Sequence, residues 1–377
     1  MSKVMFPNSA QFDEMNVNLA KIAKAVGGQV DVSTWAGVQR AVRMGIAPDI
    51  FPIGTQLLVK HSVYGDMLYD VVAHNYLKSV HNEDAPTMTL MCHDVLSTAL
   101  QFDAPEAFYY AEADLPAGTY NFTLATAYSS WAAGTYQFTT TKVLPKGGQF
   151  TISGYADAAM TARSVKAFTS RTTTTVSETL TITEGSGGTS LGTFGEGLNH
   201  SQRVSYGSNN YKESAIRQML NSSAAAGSVW TPQTKFDRPP SWLTSTAGFA
   251  GGLENDFIAV VGDVVLPCCA NTIYEAPDST VIKGERYTLN DKFYLASRKE
   301  IFGTDDSVAD GSVLFPYYEG ATNTDRIKYR NGSAANWWVR TPYGGHADYV
   351  RVVYTGGSLS YGIASTACYL APACTIV

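Results

Sequence analysis

Two adjacent tryptophans open the closing segment of this chain, and that segment constrains the fold more than any other. Residues 336–377 begin Asn336-Trp337-Trp338-Val339-Arg340-Thr341-Pro342 and finish on the apolar run Leu370-Ala371-Pro372-Ala373-Cys374. Trp337 and Trp338 are expected to bury large area and anchor the rest of the segment. Arg340 beside them reads as paired or stacked in the core, not catalytic. The stretch between is rich in Tyr, Gly and Ser, the chemistry of an adaptable binding surface. From Val339 onward there is no Lys, Glu, Gln, Met or Trp. Those are the types that randomising the adenines of an AAC or AAT codon cannot produce. The pattern points to diversified recognition and away from catalysis.

At 377 residues the chain exceeds one average domain, so two or three are expected. Its 45% hydrophobic content marks a folded protein. A net charge of −6 and the absence of any Lys/Arg cluster argue against nucleic acid as a partner. The five cysteines, Cys92, Cys268, Cys269, Cys368 and Cys374, contain no Cys-x-x-Cys pair, so neither zinc nor any other metal is expected. Cys268-Cys269 reads as two buried small residues. Met1–Ala10 lacks an apolar core of signal-peptide length, and no run of about 20 apolar residues occurs. The expectation is synthesis in the cytoplasm, no membrane insertion, and work outside the cell only as part of a particle.

Two helical patterns come first. Met15, Leu19, Ile22 and Val26 share one face and stop at Gly27-Gly28; Trp35, Val38 and Val42 share another, with Ser33 as N-cap and Gly45 as stop. Thr55–Val59 and Leu68–His74 form a strand pair around Tyr64-Gly65-Asp66, and Met88–Val95 continues in that style. Near Phe102 the composition shifts. Ala117-Gly118-Thr119-Tyr120-Asn121-Phe122-Thr123 returns as Ala133-Gly134-Thr135-Tyr136-Gln137-Phe138-Thr139, each copy a glycine turn before an alternating strand. With Gln149–Ser153 and Thr172–Thr183, this spacing predicts a β-sandwich over residues 104–197. Ser214, Ile216, Arg217 and Leu220 predict a helix, and Asp291–Ser297 a buried strand before one helical turn.

In order, Tyr211-x-x-Ser214-x-x-Arg217-x-x-Leu220-Asn221, Asp291-Lys292-Phe293-Tyr294-Leu295-x-Ser297, Trp337-Trp338-Val339-Arg340-Thr341-Pro342, Gly356-Gly357-Ser358-Leu359 and Ala371-Pro372-Ala373 resemble the C-type-lectin-like variable proteins of diversity-generating retroelements, of phage and prophage type. The resemblance spans residues 31–103 and 198–377 and omits the β insertion. It implies an α+β, C-type-lectin-like fold with an inserted all-β sandwich, short N-terminal helices over residues 1–30, and a variable region over 336–377. In that family, adenines of a template RNA are randomised as it is copied into the 3′ end of the gene. The family pattern places outward-facing diversified positions at Tyr343, Gly344, His346, Asp348, Tyr349, Arg351, Val353, Tyr354, Ser360, Tyr361, Gly362, Ile363, Ser365 and Cys368, on a scaffold of Trp337, Trp338 and Arg340. One departure is that no Asn follows Asn336. The function implied is that of the family's phage tropism determinants: a tail receptor-binding, host-adhesion protein of the virion. It would be homo-oligomeric, in contact with other tail proteins, and directed at a surface protein or glycan of a bacterial host. No cofactor is implied.

Other chemistry finds less support. The Glu-Pro-Asn, Gln-Pro-Asp and Trp-Asn-Asp motifs of calcium-dependent sugar binding are missing. Cys368 and Cys374 invite comparison with formylglycine-generating oxidases of the same fold class, but no thiolate-stabilising neighbours stand near them in sequence. An enzyme of that type and an inert virion decoration protein are the alternatives. His74 and His93-Asp94 read as structural, with no carboxylate partner in view. Asp305, Asp306 and Asp310 read as a solvated loop, and Tyr109-Tyr110 and Tyr317-Tyr318 as strand residues at sheet edges.

Overall fold

Pairing of the end of the chain with its beginning organises the architecture. The computed structural model describes residues 30–107, 109–110, 113–124, 132–144, 146, 148–150, 168–170, 175–176, 182–194, 202–204, 206–270, 273–275, 280–282 and 284–377. Five strands form one antiparallel sheet in the order Gln56–His61, Gly65–His74, Met88–Cys92, Pro372–Ile376, Phe293–Leu295. The closing strand has a hydrogen-bonded neighbour on each side, and all five of its residues are buried. Its apolar sequence meets that demand, because a strand covered on both faces needs no polar alternation.

The predicted hairpin forms around Gly65, whose φ of +73° is the left-handed conformation that glycine adopts without strain. The helix Trp35–Arg43 is capped by Thr34, not by Ser33: the Thr34 hydroxyl accepts from Gly37 N–H at 3.2 Å, while Ser33 bonds Asp31. It packs on the helix Asn255–Val260 through Trp35 and Phe257, rings 4.6 Å apart. The helix Ala215–Asn221 starts at its Ser214 cap, and Ser297 and Glu300 form a reciprocal capping box on Arg298–Phe302. The architecture of the described residues is mixed, with a few short helices and many strands in several sheets, as in an α+β or mostly-β fold.

The two repeat strands, Gly118–Leu124 and Gly134–Thr140, pair antiparallel with Phe122 opposite Tyr136 and Tyr120 opposite Phe138. They belong to a four-stranded sheet, and a second four-stranded sheet includes Tyr109–Tyr110 and Gly148–Phe150. Tyr120, Phe122, Tyr136, Phe138, Leu144 and Ile182 are buried yet stand apart from the main core. The chain enters and leaves this region side by side: Glu106 N–H donates to the Arg203 carbonyl at 3.1 Å, and Arg203 Nε lies 3.5 Å from the Glu106 carboxylate.

Some expectations need correcting. Tyr317-Tyr318 lie in a 3-10 turn, Pro316–Tyr318, because the proline starts a turn and cannot extend a ladder. Cys268-Cys269 are buried as expected, but within a strand pair, Val264–Ala270 with Glu285–Asp291, that no alternation in the sequence announces. The face carried by Met15, Leu19, Ile22 and Val26 lies outside the described residues, as do parts of the predicted strands Gln149–Ser153 and Thr172–Thr183.

Candidate functional site, the outer face of the C-terminal hairpin

The strand Trp337–Pro342 is buried at every residue. Trp338 Nε1 donates to the Leu100 carbonyl at 3.1 Å, its ring 5.7 Å and edge-on from Phe102. Trp337 Nε1 reaches the Arg326 carbonyl at 3.3 Å. Each indole thus finds a partner for its one polar atom while burying the rest. Arg340 carries a charge into the core and is fully matched. It grips Glu300 through two nitrogens, at 2.6 and 2.7 Å, and donates to the Pro267 and Leu295 carbonyls and to the Ser312 hydroxyl. Burial opposes its charge, but the Glu300 carboxylate outweighs that and raises the arginine well above its ordinary pKa.

From this strand the chain turns through residues 343–348 into the hairpin Tyr349–Val353 and Leu359–Ile363. Gly357 closes the hairpin at φ +76°. The register sets Tyr349 opposite Ile363, Arg351 opposite Tyr361 and Val353 opposite Leu359 on one face; Val350 with Gly362 and Val352 with Ser360 take the other. Val350 and Val352 are buried, and a side-chain carbon on Gly362 would stand 3.1 Å from the Trp338 ring. The second face is therefore the inner one.

The backbone of the connecting turn is pinned from outside. Asn209 donates its amide to the His346 and Tyr349 carbonyls, and its own N–H donates to the Ala347 carbonyl. Gln202 accepts from Ala347 N–H, and Asp306 from Gly344 N–H. Tyr343, His346, Tyr349 and Tyr361 then cluster, with the ring of Tyr343 4.4 Å from Tyr361 and 5.4 Å from His346. Tyr349 lies 4.8 Å from His346 and 5.1 Å from Tyr361. Arg351 lays its guanidinium 4.3 Å from the centre of Tyr343, held there by Asp306 at 2.5 Å. Asp306 also binds Arg298 at 2.8 Å. Burial would raise the Asp306 carboxyl, but Arg351, Ser307 N–H and Arg298 outweigh it and lower the pKa. Burial lowers His346, which favours the neutral ring.

The structure divides the expected outward positions. Tyr343, His346, Tyr349, Arg351, Tyr361 and Ile363 come together, and Tyr354 stands exposed on the turn. Val353 is fully buried, contrary to expectation, because it pairs with Trp337 at the closed end of the sheet. Cys368 is buried too, in a short ladder with Leu100, and burial pushes its thiol up to about 12. Asp348 lies beneath the cluster with its side chain only 3% exposed; one oxygen faces His346 Nδ1 at 3.8 Å and has no hydrogen-bond partner. Burial raises that carboxyl to about 6. Ser360 and Gly362 belong to the inner face, Gly344 abuts Asp306 and Ser307, and Ser365 is tied through its N–H to the Tyr206 carbonyl.

Asp306 is half-buried, its side chain covered where it bridges two arginines, and does not act as a solvated loop residue. Asp305 pairs with Lys299 and Asp310 accepts from Ser312 N–H, so all three carboxylates are occupied. Asn209, Gln202 and Asp306 reach the site from remote segments, and nothing local in the sequence marks them. His93 also has the carboxylate partner that the sequence did not reveal: Asp70 lies 2.8 Å from its Nδ1, with Gln56 bonding both. His74 Nε2 donates to the Phe51 carbonyl at 2.9 Å, as a structural histidine would. Cys374 is fully buried, and burial raises its thiol well above the usual range. Among the described residues no helix is long and apolar enough to cross a membrane. No curated protein and no solved structure matches the chain. Residues 174–377, more than half of the chain and the whole of this site, match one family, and the chain belongs to it: the domain of unknown function DUF6273.

Proposed function

We propose that this chain is a hypervariable ligand-binding protein with a C-type-lectin-like fold, diversified by a retroelement and carried on a phage tail as a receptor-binding, host-adhesion protein. The observation that carries this reading is the contrast between the two faces of one hairpin. The inner face is locked by Trp338, Val350 and Val352, while the outer face offers Tyr343, His346, Tyr349, Arg351, Tyr361 and Ile363 to whatever approaches. Side chains there can change without disturbing the core, because the backbone beneath them is held by Asn209, Gln202 and Asp306. Tyrosine supplies large contact area at low entropic cost. A surface protein or glycan of a bacterial host is the expected target, and copies of the chain on one particle would add avidity.

The test is the DNA beside the gene. A reverse transcriptase and a near-repeat of the 3′ end are expected, with template adenines falling in the codons for Tyr343, His346, Tyr349, Arg351, Tyr361 and Ile363. Codons for Trp337, Trp338, Arg340, Val350 and Val352 should be spared. Finding no repeat, or substitutions concentrated in the buried set, refutes the proposal.

A further inference from the structure

We propose that the outer face of the hairpin is a stacking platform for a neutral, hydroxyl-rich sugar chain, bound without a metal ion; this rests on the reading of that face as the ligand site. Three features favour this ligand over others.

The first is charge. Among the described residues at the site, Arg351 and Arg298 are the cations and Asp306 and Asp348 the carboxylates, and the two signs cancel. Asp306 bonds both guanidinium groups, through Arg351 Nε and Arg298 Nη1, and so offsets part of their pull on an anionic polymer. His346 adds no charge while burial favours its neutral form. The second is geometry. The rings of Tyr343, Tyr349 and Tyr361 stand 4.4 to 6.1 Å apart and are mutually tilted, so they touch one another and enclose no cage for an ammonium group. Arg351 covers one side of Tyr343, while Tyr349 and Tyr361 offer ring surface beside it, and the negative face of an aromatic ring attracts the polarised C–H groups of a pyranose.

The third is hydrogen bonding. The hydroxyls of these three tyrosines have no protein partner among the described residues, so they rim the platform as donors and acceptors. Beneath His346, one oxygen of Asp348 is buried with no donor of its own. An unsatisfied buried acceptor is costly. A sugar hydroxyl that displaces the His346 ring would reach this oxygen and supply the donor that the protein lacks. A protein ligand would gain less here, since Ile363 and Leu359 are the aliphatic residues that the register places on this face beside the buried Val353.

The experiment uses the full chain on a printed array of neutral, acidic and amino-sugar oligosaccharides, with calorimetric titration of the best neutral binder. Neutral glycans should be retained. Tyr361→Ala and Tyr349→Ala should each weaken binding about tenfold or more, as truncation of a central aromatic does, with melting unchanged. Asp348→Asn should weaken it less. Retention of acidic or amino sugars alone, an empty array, or undiminished binding by Tyr361→Ala overturns the proposal. An empty array from a gene that does carry the adjacent repeat removes the sugar and leaves the diversified binder standing. Sugar binding without any repeat does the reverse.

Discussion

Replacing Arg340 with methionine tests how the C-terminal segment is held. Arg340 is 2% exposed and makes five side-chain hydrogen bonds, two of them to Glu300. Methionine fills much of the same space, so the cavity contribution is small and the electrostatic one dominates. Glu300 would be left buried with the Ser297 N–H and the Tyr76 hydroxyl as its remaining donors. Breaking a buried pair by removing one partner costs about 3–5 kcal/mol. The stranded acceptors on Pro267, Leu295 and Ser312 lie within that figure, since truncation costs of one network do not add. A second variant, Arg340→Met with Glu300→Gln, separates charge from packing. Glutamine still accepts from Ser297 N–H but leaves no unpaired charge, so the double variant should recover roughly 1–3 kcal/mol. Urea unfolding followed by tryptophan emission reads the transition that includes Trp337 and Trp338. The reasoning fails if Arg340→Met unfolds within about 1 kcal/mol of the parent, or if the double variant is no more stable than the single one.

Trp337→Ala should cost about 3–5 kcal/mol, measured in the same assay, because the indole is fully buried and its site cannot collapse onto a strand. Gly357→Ala should destabilise by roughly 1–3 kcal/mol, since a side chain there meets the Asn323 carbonyl and the φ of +76° suits only glycine. Gly356→Ala next to it, with open space around, should stay within about 0.5 kcal/mol. Asp348 gives a pH signature. Burial lifts its carboxyl from 3.8 to about 6, so the folded state keeps a proton that the unfolded chain releases; the stability this contributes is present below pH 3.8 and is lost as pH rises through about 6. Asp348→Asn should therefore be more stable than the parent at neutral pH, by up to ~2 kcal/mol, and the advantage should vanish in acid. Paired melting curves across that range decide it.

What the sequence made legible were features with a local physical cause. The repeat strands arise from alternation after a glycine turn, the helix Ala215–Asn221 from its spacing and its Ser214 cap, and the burial of Trp337, Trp338 and Arg340 from size and charge beside an apolar run. What it hid depends on distant approach. Asp306 resembled a solvated loop residue until the fold set it between Arg298 and Arg351, and His93 had no visible carboxylate until strand pairing brought Asp70 alongside. The direction of individual side chains was lost at the ends of the hairpin. Val353 shares a face with Arg351 by alternation, yet the neighbouring Trp337 covers it. Alternation assigns a face, and only the packing partner decides whether that face is wet.

If the proposed function holds, the outer face must tolerate substitution while the hairpin resists slipping, and the two demands meet in its register. A shift of one residue would send Tyr349, Arg351 and Tyr361 into the core and expose Val350 and Val352. On the proposed function the outer-face residues are the ones that vary, so they cannot guard against this. The inner face can. Gly362 is the small residue that lets Trp338 lie against the sheet, and Val350 and Val352 fill the space beside it. A one-residue slip would set Tyr361 or Ile363 where glycine now sits, 3.1 Å from the indole. Gly362 is thus a register lock and not a contact residue, although its place in the sequence resembles a varied one. A template that spared its codon while varying those of Tyr361 and Ile363 would be the direct consequence of that geometry.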